Sequence, residues 1–132
     1  MEKRRVWTIL RKREQVPPGS SYALLEVLLK DYCKEQDYEV VGHSDLVGDF
    51  KAICKELETI AEEQDIDVIV VTARKQISRD PAEMIRAIRA LEQHEVYFEF
   101  IAAPHHITEM DIVAEEAYKE LKGYKTPWGA VL

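Results

Sequence analysis

The chain has 132 residues, of which 46% are hydrophobic and 33% charged, with only five glycines and five prolines. That composition suits one globular domain with a single substantial core and excludes a disordered or low-complexity chain. The net charge of −7 argues against a general nucleic-acid binder, and the apolar runs fall far short of the roughly 20 residues a membrane helix needs.

The reading is therefore one α/β domain over residues 1–132, with an irregular tail over 123–132. No apolar stretch follows the charged start MEKRR, so no secretory signal is expected. Cys33 and Cys54 lack CxxC spacing and fall in helical patterns, which suits reduced thiols in a cytoplasmic protein. The charge is unevenly spread. Lys3, Arg4, Arg5, Arg11, Lys12 and Arg13 face only Glu2 and Glu14 in the first sixteen residues, and Arg74, Lys75, Arg79, Arg86 and Arg89 face only Asp80 and Glu83 over 73–89. Two basic segments on an acidic body can meet to form a local anion site.

In chain order, Arg5–Leu10 (RVWTIL) is β-branched and apolar and predicts a first strand. Pro17, Pro18 and Gly19 interrupt the chain, and Ser20 or Ser21 is positioned to cap a helix. Leu24, Leu25, Val27, Leu28, Leu29, Tyr32 and Cys33 recur at helical spacing over 22–36. Tyr38–Gly42 predicts a short second strand, with His43–Asp49 as a loop turning at Gly48. Phe50–Gln64 is amphipathic, with Phe50, Ile53, Cys54, Leu57, Ile60 and Ala61 on one face. Asp67–Thr72 carries the continuous run Val68-Ile69-Val70-Val71 expected of a strand buried on both faces. Asp80, or Ser78 just before it, caps a helix with Pro81 at its first position, and Met84, Ile85, Ile88 and Leu91 form its stripe. Val96–Ile101 is a fourth strand, which Ala102-Ala103-Pro104 is expected to break. Thr108 caps a last helix over 109–122, ended by Gly123, with the stripe Met110, Ile112, Val113, Ala117 and Leu121. Strands alternating with helices predict a three-layer fold: a mostly parallel sheet of four or five strands with helices on both faces.

Ligands in such sheets sit beyond the carboxyl ends of the strands. That directs attention to Ala73–Arg79, and to Arg11, Arg13, Arg74, Lys75 and Arg79 as a cationic set suited to phosphate. The competing reading is a solvated rim, with arginines paired to Asp45, Asp49 or Asp80. Neither GxGxxG nor GxxxxGK[ST] is present, so the two glycine-rich phosphate cradles are excluded. A phosphoacceptor domain would need an aspartate where Thr72-Ala73 stands. His105-His106 are adjacent and do not share a helix face as metal ligands would, so no metal and no cofactor is expected. His43-Ser44-Asp45 has the members of a catalytic triad, but three consecutive residues are expected to lie in a loop without triad geometry.

The order of elements and several short words resemble the N-terminal catalytic domain of serine recombinases, the resolvase/invertase family. Ile9-Leu10-Arg11-Lys12-Arg13 stands where that family has Tyr-x-Arg-x-Ser. Ser21-Tyr22-Ala23-Leu24-Leu25 matches its Ser-Leu-x-x-Gln helix start in spacing, and Tyr38-Glu39-Val40-Val41 its Trp-Glu-Val-Val strand. Arg74-Lys75-Gln76-Ile77-Ser78-Arg79-Asp80 parallels its Leu-Asp-Arg-Leu-Ser-Arg-Asp. The resemblance spans roughly residues 4–102 and implies the family's fold.

The family attacks a DNA phosphodiester with a serine hydroxyl, and that serine position is Arg13 here, a side chain with no attacking oxygen. The family's Asp-Arg pair is Lys75-Gln76, and Pro104-His105-His106-Ile107-Thr108 replaces its Asp-Thr-x-Thr-x-x-Gly-Arg pattern. An N-cap role for Ser21 argues against its replacing the nucleophile. The chain runs nine residues past Gly123, with no helix-turn-helix or zinc-binding segment among them. The expectation is a catalytically inactive interaction module related to site-specific DNA recombination. Its partner would be a second copy or an active recombinase, met through the helix bearing Met110, Ile112, Val113, Ala117 and Leu121. The alternatives are a sensor or enzyme for a small phosphorylated ligand at the basic cluster, and DNA-backbone binding without cleavage.

Overall fold

The computed structural model describes residues 3–12 and 21–121. Arg13, Ser20 and the tail 123–132 lie outside the described residues. The elements are β1 (Arg5–Arg11), α1 (Ser21–Glu35), β2 (Glu39–Leu46), α2 (Phe50–Glu63), β3 (Val68–Val71), a short 3-10 turn (Arg74–Gln76), α3 (Pro81–Glu92), β4 (Tyr97–Phe100), β5 (Ala103–Ile107) and α4 (Glu109–Glu120). The sheet order is β2-β1-β3-β4-β5. The first four strands are mutually parallel and β5 runs antiparallel beside β4.

The expected three-layer α/β architecture is what forms. All four residues of β3 are buried, as a central parallel strand covered on both faces requires. On one face, Ile9, Ile69, Val71, Phe98 and Phe100 join Ile53 and Leu57 of α2, Met84, Ile88 and Leu91 of α3, and Ile112 of α4. On the other, Val6, Leu10, Val68 and Val70 meet Leu29, Tyr32 and Cys33 of α1, the only helix on that face among the described residues. Cys33 and Cys54 are free thiols, the first buried and the second half-buried.

Two segments differ from expectation, both at sheet edges. The second strand does not stop at Gly42 but continues to Leu46, because β1 is seven residues long and pairs Thr8 with His43 and Arg11 with Leu46. A bulge between Val6 and Trp7 resets the register there. Trp7 lies over Gly42, and a Cβ at that position would collide with the indole ring. Pro104 does not end the sheet either. Ala103–Ile107 folds back on β4, pairing Phe98 with Ile107 and Glu99 with His106. On an edge strand, proline's missing N–H costs no ladder bond, so His105-His106 are strand residues.

Candidate functional site

The carboxyl ends of β1, β2 and β3 form one edge of the sheet, and short polar links hold them together. The Arg11 backbone N–H donates to Gln76 Oε1 at 2.9 Å, joining β1 to the turn after β3. The Arg11 guanidinium donates to the Gly48 carbonyl at 3.2 Å. Gly48 sits at φ 105°, where glycine is favoured, and the next residue, Asp49, caps α2 by accepting the Ala52 N–H at 3.0 Å.

Along the turn the cations separate into two kinds. Lys75 and Arg79 are exposed and have no carboxylate partner among the described residues. Arg74 is buried, at 3% exposure. Its guanidinium lies 3.1 Å from Glu115 and 3.3 Å from Glu116 of α4, and donates to the Arg79 carbonyl at 2.9 Å. Burial between two carboxylates removes Arg74 from the set that can meet an external anion. The pairing with Asp45, Asp49 or Asp80 in the competing reading does not form among the described arginines, because those acids have other bonds. Asp80 caps α3, accepting the Ala82 N–H at 2.8 Å, and Ser78 Oγ donates to Glu83 at 2.7 Å and accepts the Asp80 N–H at 3.0 Å. The α3 N-terminus is thereby filled by its own side chains.

Asp45 belongs to a second arrangement, which sequence reasoning missed. Residues i and i+2 of a strand share a face, so once β2 extends to Leu46, His43 and Asp45 stand side by side. His43 Nε2 lies 2.9 Å from Asp45 Oδ1, and His43 Nδ1 lies 2.7 Å from Thr8 Oγ1 on β1. The Tyr22 hydroxyl, in the first turn of α1, donates to the same Asp45 oxygen. Burial opposes the Asp45 charge, yet the hydrogen bonds from Tyr22 and His43 and the charges of His43 and Lys12 hold the carboxyl below its ordinary range. Tyr22 is raised above the usual phenol range, first by burial and then by its bond to Asp45. The members and order resemble a hydroxyl–imidazole–carboxylate relay. Thr8 is only 6% exposed, however, which closes its hydroxyl to a substrate. The arrangement therefore tethers α1 and β2 to β1.

The described hydroxyls at this edge are accordingly committed or enclosed. Thr8 meets His43, Ser44 accepts the Trp7 indole N–H at 2.9 Å, Ser78 bonds Glu83, and the buried Thr72 hydroxyl has no partner. Among the described residues, no group of three or more His, Cys, Asp or Glu is placed to hold a metal ion. No helix among them is long and apolar enough to cross a membrane.

On α4 the five residues of the predicted stripe divide between two faces. Ile112 is fully buried in the core, which takes it out of any external contact surface. Met110 and Val113 are 70% and 48% exposed and with exposed Ala117 form an outward apolar row at i, i+3 and i+7, while Leu121, just past the end of the helix, is 55% exposed. A shallow groove of about 300 Å³ runs between α3 and α4, lined by Pro81, Ile85, Val113 and Ala117 and rimmed by Glu116 and Glu120.

Among the described residues, a central parallel sheet with one antiparallel edge strand, one helix on one face and three on the other, makes a three-layer α/β domain with cations at its strand ends. The family model of the resolvase N-terminal domain matches residues 19–121, and the chain belongs to that family. It is a resolvase-like domain related to site-specific recombination. Its fold is similar to that of a resolvase-family site-specific recombinase from Streptococcus pneumoniae, at 16% identity and TM-score 0.69, over 91% of this chain and 88% of that one. It is also similar to the N-terminal catalytic domain of TP901-1 integrase, at 15% identity and TM-score 0.64, over 89% and 95%. A third similar structure is the C-terminal catalytic domain of ISC1926 TnpA, an IS607-like serine recombinase, at 17% identity and TM-score 0.60, over 90% and 83%. No curated protein sequence matches the chain.

Proposed function

We propose that this chain is a non-cleaving member of the resolvase family, an interaction module that pairs with a second copy of itself or with an active recombinase through the outward row of α4. The observation that carries the reading is Arg13, which stands where the resemblance places the nucleophilic serine. A guanidinium has no lone pair available for attack and stays protonated. Two features of the strand-end edge support it. Gln76, at a position where the resemblance expects arginine, is spent on the Arg11 backbone. The described hydroxyls at that edge are bonded or buried.

The interaction half rests on the exposure of Met110, Val113 and Leu121, which gain by being covered at roughly 25 cal/mol per Å² of apolar surface. Sedimentation of the wild-type chain, alone and mixed with an active recombinase, tests it. Association is expected in one of the two samples and is lost in Val113→Asp. A wild-type chain that stays monomeric in both overturns it.

A second reading is favoured by the exposure of Lys75 and Arg79 without carboxylate partners among the described residues. There the strand-end edge binds a small phosphorylated ligand. Thermal stabilisation by nucleotides or inorganic phosphates, lost in Arg79→Ala and independent of any protein partner, distinguishes it.

A further inference from the structure

Arg74 is the one cation of the basic segment that the protein buries, and it is buried against a different part of the chain. Its side chain is 4% exposed and that of Glu115, 41 residues later on α4, is 3% exposed. Glu116 lies on the same guanidinium, and Lys119 closes the group from outside, 3.5 Å from Glu115 and 3.2 Å from Glu116. The same guanidinium holds the Arg79 carbonyl at 2.9 Å. One residue thus grips α4 with one part of its fork and the chain at Arg79 with another. Two atoms of the group, Arg74 Nε and Glu115 Oε2, are buried without a hydrogen bond. An incompletely satisfied buried ion pair is weak as a source of stability but severe when one partner is withdrawn, because the other is left charged and desolvated.

We propose that Arg74 is a positioning residue whose buried pairing with Glu115 couples the seating of α4 to the conformation of the Lys75–Arg79 loop. The outward row of α4 and the exposed cations Lys75 and Arg79 are then two ends of one device. A partner that tilts α4 shifts the loop, and an anion that fixes the loop favours seated α4, since coupling between two sites is reciprocal. The proposal rests on the preceding reading only for the identity of the partner at each end. The clasp itself is a property of the isolated chain.

The test is amide hydrogen exchange on the full chain, followed by mass spectrometry. Glu115→Gln removes the charge and keeps the shape. It is expected to raise exchange at residues 75–79 by about tenfold, within the usual range for coupled sites, while β1 and β3 keep their protection. Met110→Ala, which alters only the outer row, is expected to leave residues 75–79 unchanged. The double variant Arg74→Leu with Glu115→Leu replaces the pair by apolar groups and is expected to keep the fold. Inorganic pyrophosphate is the probe for the loop end. In the wild type, its protection of 75–79 is expected to extend to 115–119; in the double variant it stays at the loop. Glu115→Gln loosening α4 while 75–79 exchanges as in the wild type would overturn the clasp. So would a rise spread evenly over the whole chain, which marks a merely structural pair. If pyrophosphate protects nothing, the phosphorylated-ligand reading fails, and the Glu115→Gln comparison still decides the clasp.

Discussion

Tyr32→Phe removes a single oxygen from the α1 face of the sheet, and its cost can be worked from the geometry. The Tyr32 hydroxyl donates to Glu99 Oε2 at 2.6 Å, the short range of a hydrogen bond to an ionised acceptor. Glu99 is 6% exposed and Tyr32 9%. Among the described residues, the other donor to this carboxylate is the Tyr38 hydroxyl, at 2.8 and 3.0 Å from its two oxygens, which shares one proton between them. Removing Tyr32's proton leaves a buried carboxylate with half its protein donors and little access for water. Bonds to charged groups contribute about 1.5–3 kcal/mol, so the expected loss is about 2 kcal/mol, or a fall in Tm of roughly 5–10 °C for a domain of this size. Tyr38 is less buried than Tyr32, and water can replace part of its bond. Tyr38→Phe is therefore expected to cost less, about 1 kcal/mol. Urea unfolding of both variants, with Glu99→Leu completing a double-mutant cycle against Tyr32→Phe, measures the terms separately. A Tyr32→Phe loss below about 0.5 kcal/mol, or a Tyr38→Phe loss equal to or larger than it, would refute the reasoning.

The same cluster sets a limit at high pH. Burial, then hydrogen bonding to Glu99, raises Tyr32 above the usual phenol range and Tyr38 to about 12, and burial raises the Cys33 thiol to about 11. The unfolded chain releases these protons first. Their contribution is therefore intact below about pH 9, declines as the unfolded groups ionise, and is lost as pH rises through the folded values. Denaturant midpoints followed from pH 8 to 12 are expected to fall, and less steeply in Tyr32→Phe; a flat profile would count against the burial assigned here. Gly42→Ala drives a Cβ into the Trp7 indole. It is expected to cost about 1–3 kcal/mol as an overpacked site, with a shift in Trp7 fluorescence, and an unchanged midpoint would place the ring elsewhere.

What was legible beforehand follows from how local each signal is. Val68–Val71 announces a doubly covered strand by itself, and the structure buries all four residues. Asp80-Pro81 announces a helix start by itself, and Asp80 accepts the N–H groups of Ala82 and Glu83 there. The edges were not legible. His43–Leu46 is strand because β1 extends beside it, and Ala103–Ile107 because β4 does; neither segment carries a β-branched run of its own. The Thr8–His43–Asp45 contact depended on that missed register, although i, i+2 spacing would have revealed half of it. The basic segment looked uniform as sequence. Its division into exposed Lys75 and Arg79 and clasped Arg74 depends on Glu115, which no local pattern connects to it. Likewise the α4 stripe mixes two faces, because Ile112 and Val113 are adjacent in sequence and about 100° apart around a helix.

The resolvase fold is retained, and the question that matters most is whether cleavage chemistry remains. The direct measurement is incubation with supercoiled plasmid carrying recombination sites, denaturation, and a search by intact-mass and peptide-level analysis for DNA covalently attached to the chain, with an active serine recombinase as positive control. No serine-linked adduct and no relaxed or cut plasmid are expected, at any protein concentration. A phosphoserine link to DNA on this chain, at Ser20, Ser21 or any other serine, would contradict the account.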